Sequence, residues 1–110
     1  MITTIDRNVL SNEGWKFQSK RFNTNDKDID GFLTKTNVMG SSSDPSEIKL
    51  VPMVKYSIFL NINEIDKLTI NSIKISNKDI KFLKIGKRIH ISLIENDFSD
   101  DIVIDYNKQV

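Results

Sequence analysis

Apolar and polar residues alternate almost without a break over residues 48–106, the two-residue period of strands that each bury one face. Val54, Tyr56, Ile58, Leu60 and Ile62 share one parity, as do Ile89, Ile91 and Leu93, and again Ile102, Ile104 and Tyr106. Residues 54–62 read as the longest strand. Ahead of it, Ile48 and Leu50 begin an extended stretch that Pro52 interrupts, because proline has no N–H for a central ladder. Residues 63–67 read as a short turn, with Asn63 placed to cap one helical turn. Leu68 and Ile70 then share one parity while Ile73 and Ile75 have the other, so a β-bulge or tight turn is predicted at Asn71 and Ser72. Another turn follows at residues 76–79, Ile80 and Phe82 open the next strand, and Gly86 marks a bend before a strand over 87–94.

The last two strands suggest a hairpin with a definite register. Pairing Ile94 with Asp101 sets Leu93 opposite Ile102, Ile91 opposite Ile104 and Ile89 opposite Tyr106. The same register places His90 opposite Asp105 on the outer face.

In the amino-terminal part, Trp15 and Phe17 alternate with polar residues and Phe22 precedes a polar stretch over 23–30. Phe32, Thr34 and Thr36 resume the extended pattern, which makes a hairpin with a long tip. Residues 3–10 form either an edge strand or a frayed arm. Residues 40–45 (Gly, three Ser, Asp, Pro) have loop composition, so a mobile segment is expected over 40–47, between an N-terminal hairpin region (1–39) and a main β region (48–110). These readings give an all-β or β-dominated single domain. Its architecture is a small antiparallel barrel or sandwich of about seven strands, with at most one or two short helical turns.

Composition supports that reading and narrows the chemistry. The 110 residues fit one domain with one core. Alanine, the best helix former, is absent, and β-branched isoleucine is abundant. With no cysteine there is no disulfide, thiolate nucleophile or cysteine-ligated metal, which fits a reducing compartment. No apolar run approaches the length of a membrane span or signal segment, so a soluble, cytoplasmic protein is expected. The formal charge is only +1, yet residues 48–94 are predominantly basic and 95–110 acidic. Complementary outer faces of neighbouring strands account for this most simply.

Several constellations carry possible chemistry. Asp26, Asp28, Asp30 and Gly31 match the first half of a calcium-binding loop, with the carbonyl of Phe32 as a further ligand. The position where that loop needs a bidentate glutamate holds Asn37, so a solvated acidic hairpin tip ending in an Asp30–Gly31 turn explains the acids better than a calcium site does. His90 is the sole histidine and cannot build a histidine-based metal site. Glu95, Asp97, Asp100 and Asp101 crowd one loop, where solvated acids explain them better than the carboxylate pair of a glycoside hydrolase. Lys74, Lys78, Lys81, Lys84, Lys87 and Arg88 form the densest basic run, a possible phosphate-binding face. That run lacks exposed aromatics to stack on bases, and Phe82 has the parity of a buried residue.

The order turn, strand, glycine bend, strand over residues 75–93, in the segments KISNKDIKF and LKIGKRIHISL, resembles the second half of PilZ-type β-barrel modules, bacterial domains that bind cyclic di-GMP. The family's paired arginines would fall at Val51, Pro52 and Met53. Of its turn signature only Ser76 matches, with Lys74 and Asp79 standing where an acid or amide and a glycine belong. The resemblance therefore implies a regulatory barrel, binding a nucleotide or, with these residues replaced, a protein partner.

With no nucleophile–base pair or cofactor motif, the chain reads as a non-catalytic module that needs no cofactor and acts by binding another protein, as an adaptor, inhibitor, immunity factor or phage component. Nucleic-acid binding is a third reading. The partner-binding residues predicted are Lys84, Lys87 and Arg88 at one end and Asp97, Asp100 and Asp101 at the other, groups of opposite charge that a partner can read.

Overall fold

The computed structural model describes residues 1–11, 19–41, 50–95 and 100–109. In chain order they form β1 (Ile2–Ile5), α1 (Arg7–Leu10), β2 (Ser19–Asn23), β3 (Ile29–Ser41), β4 (Leu50–Ile62), a 3-10 turn (Ile65–Lys67), β5 (Leu68–Ile75), β6 (Lys78–Asp79), β7 (Phe82–Ile85), β8 (Arg88–Glu95) and β9 (Ile102–Lys108). Every pairing is antiparallel. One sheet has the order β1-β9-β5-β6 and the other β2-β3-β4-β8-β7. Among the described residues no helix is long and apolar enough to cross a membrane.

The alternation sets predicted from sequence supply the core between the sheets. Tyr56, Ile58, Leu60 and Ile62 of β4 and Ile89 and Ile91 of β8 face Ile102, Ile104 and Tyr106 of β9 and Ile73 of β5, all of them buried. Ile29, Leu33 and Phe22 extend this core along β3 and β2. The Tyr56 hydroxyl lies inside it and donates to the Leu10 carbonyl at 2.9 Å, which satisfies the buried phenol and ties α1 to β4.

The parity break in β5 is a bulge. Ile70 pairs with Tyr106 and Ser72 with Asp105, leaving Asn71 unpaired, so Leu68 and Ile70 before it point to the same core as Ile73 and Ile75 after it. The following turn is tight: Ser76 and Asn77 both have positive φ, 50° and 63°, and Lys78 returns opposite Ile75. Gly86, at φ 59°, makes the equivalent turn between β7 and β8. Pro52 is accommodated in β4 because the β8 ladder described ends where Glu95 meets Val54, so among the described residues only β3 flanks the proline.

Three expectations change. The hairpin between the last two strands does not form. β8 pairs with β4 and β7, β9 with β1 and β5, and so His90 lies opposite Phe59 and Leu83, in a different sheet from Asp105. The apolar positions matched in that register do share one core, but they enter it from opposite sheets. Period-2 alternation specifies which face is buried without specifying the neighbouring strand, and a loop between sheets satisfies it as well as a hairpin does. Second, Asn63 is not a cap: Glu64 holds the capping position in the left-handed region, and the Asn63 N–H donates to the Asp28 carbonyl at 2.9 Å. Third, Gly40 and Ser41 are not loop residues but the last two of β3, opposite Val51 and Leu50. The remainder of the loop expected at 40–47, together with Trp15 and Phe17, lies outside the described residues. The amino-terminal stretch is an edge strand followed by a short helix, with β1 paired along β9 and Asp6 capping α1 through the Asn8 N–H at 2.8 Å.

Candidate functional site

The acidic tip between β2 and β3 closes on the end of β9. Asp26 Oδ2 accepts from Lys108 Nζ at 2.7 Å and from the Tyr106 hydroxyl, and Lys108 reaches Asp28 Oδ2 at 3.2 Å. An Asx-type bond from the Asp28 N–H to Asp26 Oδ1, at 3.0 Å, shapes the turn. Desolvation works to raise the Asp26 carboxyl, but the bonds from Lys108, Tyr106 and the Asp28 N–H outweigh it and bring its pKa to about 2. Burial, followed by the hydrogen bond and charge of Asp26, pushes Tyr106 up to about 12. The Asp26 hydrogen bond, reinforced by Asp28, also raises Lys108.

Two of the three carboxylates considered for calcium thus converge, but on an ammonium group. Asp30 is not with them; it stands exposed in β3, paired with Asn23 and Asn61. Phe32 likewise belongs to the ladder, paired with Arg21 and Phe59. Among the described residues no group of three or more acids and histidines is placed to hold a metal ion. The lysine responsible lies about eighty positions along the chain from the acids, so no local spacing could announce it.

The outer face of the five-stranded sheet carries a second arrangement. One register row crosses all five strands: Arg21, Phe32, Phe59, His90 and Leu83. Phe32 and Phe59 stack with ring centroids 4.8 Å apart, and Phe59 and His90 stack at 4.7 Å within 8° of parallel. The Arg88 guanidinium carbon lies 5.5 Å from the Phe32 centroid. His90 Nε2 is buried and, among the described residues, is the sole buried side-chain polar atom without a hydrogen-bond partner. Phe59 is covered on both ring faces, by Phe32 and by His90.

Around this ladder the same face exposes large aliphatic side chains. Leu83 is 64% exposed, Ile85 60% and Ile94 52%. Alternation with the inward residues Phe82, Ile89, Ile91 and Leu93 fixes their outward direction. The described charges on this face are Arg21, Lys55 and Arg88 against Asp30, so its rim is basic.

Of the residues predicted to bind a partner, Lys84, Lys87 and Arg88 fall in the β7–β8 hairpin but point differently. Arg88 joins the outer face, Lys87 sits in the turn, and Lys84 pairs with Ile89 on the inward parity at the sheet margin. Asp100 and Asp101 belong to the other sheet's end. Asp100 accepts from the Ser76 hydroxyl and Asp101 from the Arg7 N–H at 2.7 Å, and with Lys74 and Asn77 they line a recess of about 350 Å³. Asp97 lies outside the described residues. The basic run is divided in the same way. Lys74 and Lys78 are on β5 and β6, with Lys74 ion-paired to Asp79 at 4.0 Å, whereas Lys84 and Arg88 are in the second sheet. Ser76 and Gly86, which carried the PilZ resemblance, occupy turns of different sheets. The aromatic row escaped sequence reasoning because its members come from three strands, and only the register aligns them.

No family model matches the chain, and neither the curated proteins nor the solved structures contain a match to it.

Proposed function

We propose that this protein is a non-catalytic binding module, an adaptor or inhibitor, that holds an acidic protein surface against the outer face of its five-stranded sheet. The observation that carries this reading is the exposure of Leu83 and Ile85 beside His90 and Arg88 at the end of the Phe32–Phe59–His90 ladder, with Ile94 exposed further along β8, on a face whose rim is basic. Large apolar side chains left exposed next to aromatic and arginine groups mark an interaction surface. Aromatic and arginine side chains are the usual energetic anchors of protein interfaces. Arg21, Lys55 and Arg88 favour a partner with carboxylates around an apolar centre and speed its approach. A phosphate-rich nucleic acid is less well served, because the lysines of the basic run are divided between two sheets.

Affinity capture from the native host with the purified chain, read by mass spectrometry, tests this. One acidic protein should be retained by the wild type and by a Lys78→Glu control on the opposite sheet. Leu83→Asp and Arg88→Glu, each shown to fold by circular dichroism, should lose it by roughly ten-fold or more, an interface loss of about 1.4 kcal/mol. Retention unchanged by both substitutions would remove the outer face from the account.

A further inference from the structure

On the side away from β2, the two sheets part. β6 covers only Lys74 and Ile75 of β5, and the chain leaves that line after the Ile80 N–H donates to the Ile73 carbonyl at 2.8 Å. Residues 68–72 of β5 therefore have β9 on one side and, among the described residues, no strand on the other. β7 is the margin of the second sheet and, among the described residues, is likewise flanked on one side only. Between these two margins lies an apolar recess of about 250 Å³, floored by Ile62, Ile65 and Ile89 and walled by Leu68, Ile70 and Phe82. Leu68, Ile70 and Phe82 point to the core yet remain partly exposed, as core residues do where a covering element is missing. Lys84 is the one charged residue lining the recess, and it has no ion-pair partner among the described residues.

We infer that this opening is a strand-accepting groove, in which an extended peptide segment of a partner protein pairs with β5 at residues 68–72 and places alternate apolar side chains in the recess. The site is separate from the outer face and does not depend on that face being an interface. Three features define the occupant. A run of unpaired strand backbone is satisfied by another strand's N–H and C=O groups, which supply the affinity in β-augmentation. Cross-strand partners point to the same side, so the occupant's residues opposite Leu68 and Ile70 must be apolar and the one opposite Thr69 polar. Lys84 at the mouth calls for a carboxylate flanking that triplet.

The probe is a set of short fluorescent peptides alternating Ile, Val or Phe with Thr and carrying a flanking Glu, titrated against the intact chain by anisotropy. Each is also made with N-methyl groups on one or the other alternate set of amides, which removes the donors along one edge and leaves the side chains in place. One methylated set should lose binding by about ten-fold or more and the other should keep it, since only one edge meets β5. Ile70→Asp should weaken every peptide. Lys84→Glu should weaken the Glu peptides and spare their Gln counterparts, and Arg21→Glu on the outer face should change nothing. The methylation comparison leaves the protein unaltered, so it stands even where Ile70→Asp fails to fold. Binding by no peptide of the set at about millimolar concentration, or equal loss from both methylation patterns, would overturn the groove. Self-association of the chain that the peptides displace would assign the edge to a second copy and overturn the partner peptide.

Discussion

At the scale of single residues, the bonds around Asp26 make a pH-dependent tie between the β2–β3 tip and the end of β9. Its carboxyl, near 3.8 when free, titrates at about 2 in the folded chain. The folded form thus holds the charged carboxylate more strongly than the unfolded form does. The resulting stabilisation is complete above the free value and disappears as pH falls through about 2. Asp26→Asn should therefore lower Tm at neutral pH, and its difference from the wild type should shrink as both are melted at successively more acidic pH. A constant difference across that range would mean the ion pair contributes nothing to it. Alkaline loss has the opposite sign. Tyr106, moved from 10.0 to about 12, keeps its proton more firmly when folded, and so does Lys108. Stability from Tyr106 is full below pH 10 and fades as pH rises through about 12, and that from Lys108, whose pKa is also raised, is likewise lost on the alkaline side.

At the scale of elements, the close approach of β3 to β4 depends on Gly31. A methyl group there would come within 2.1 Å of the Phe59 carbonyl oxygen and 2.9 Å of the Phe22 ring. The first of these is backbone and cannot swing aside. Gly31→Ala should cost about 3 kcal/mol or more in denaturant unfolding, an overpacking effect rather than a conformational one. A change of only a few tenths would show that the strands can separate there at little cost. The elements also mark how far sequence could reach. The bulge at Asn71, the turns at Ser76–Asn77 and Gly86, and the hairpin joining β2 to β3 were legible, because each depends on residues within one or two positions of each other. β6 was not, since two residues carry no period.

For the molecule as a whole, alternation revealed that Ile89, Ile91, Ile102 and Ile104 are buried but not that they belong to facing sheets. That single ambiguity determined how much of the surface could be read. In the hairpin register His90 would have met Asp105 at the surface. With β8 beside β4 it completes the aromatic ladder instead, and Leu83, Ile85 and Ile94 share its face. The groove beside β5 is invisible in sequence for the same reason, because it is an absence of pairing between strands already identified.

Cross-strand backbone NOEs test the two-sheet arrangement most directly, since adjacent strands lie about 5 Å apart and facing sheets about 10 Å. Backbone contacts are expected between Phe59 and His90 and between Ile73 and Ile104, with none between β8 and β9. Backbone contacts joining His90 to Asp105 and Ile91 to Ile104 would restore the hairpin and contradict both the fold and the surfaces derived from it.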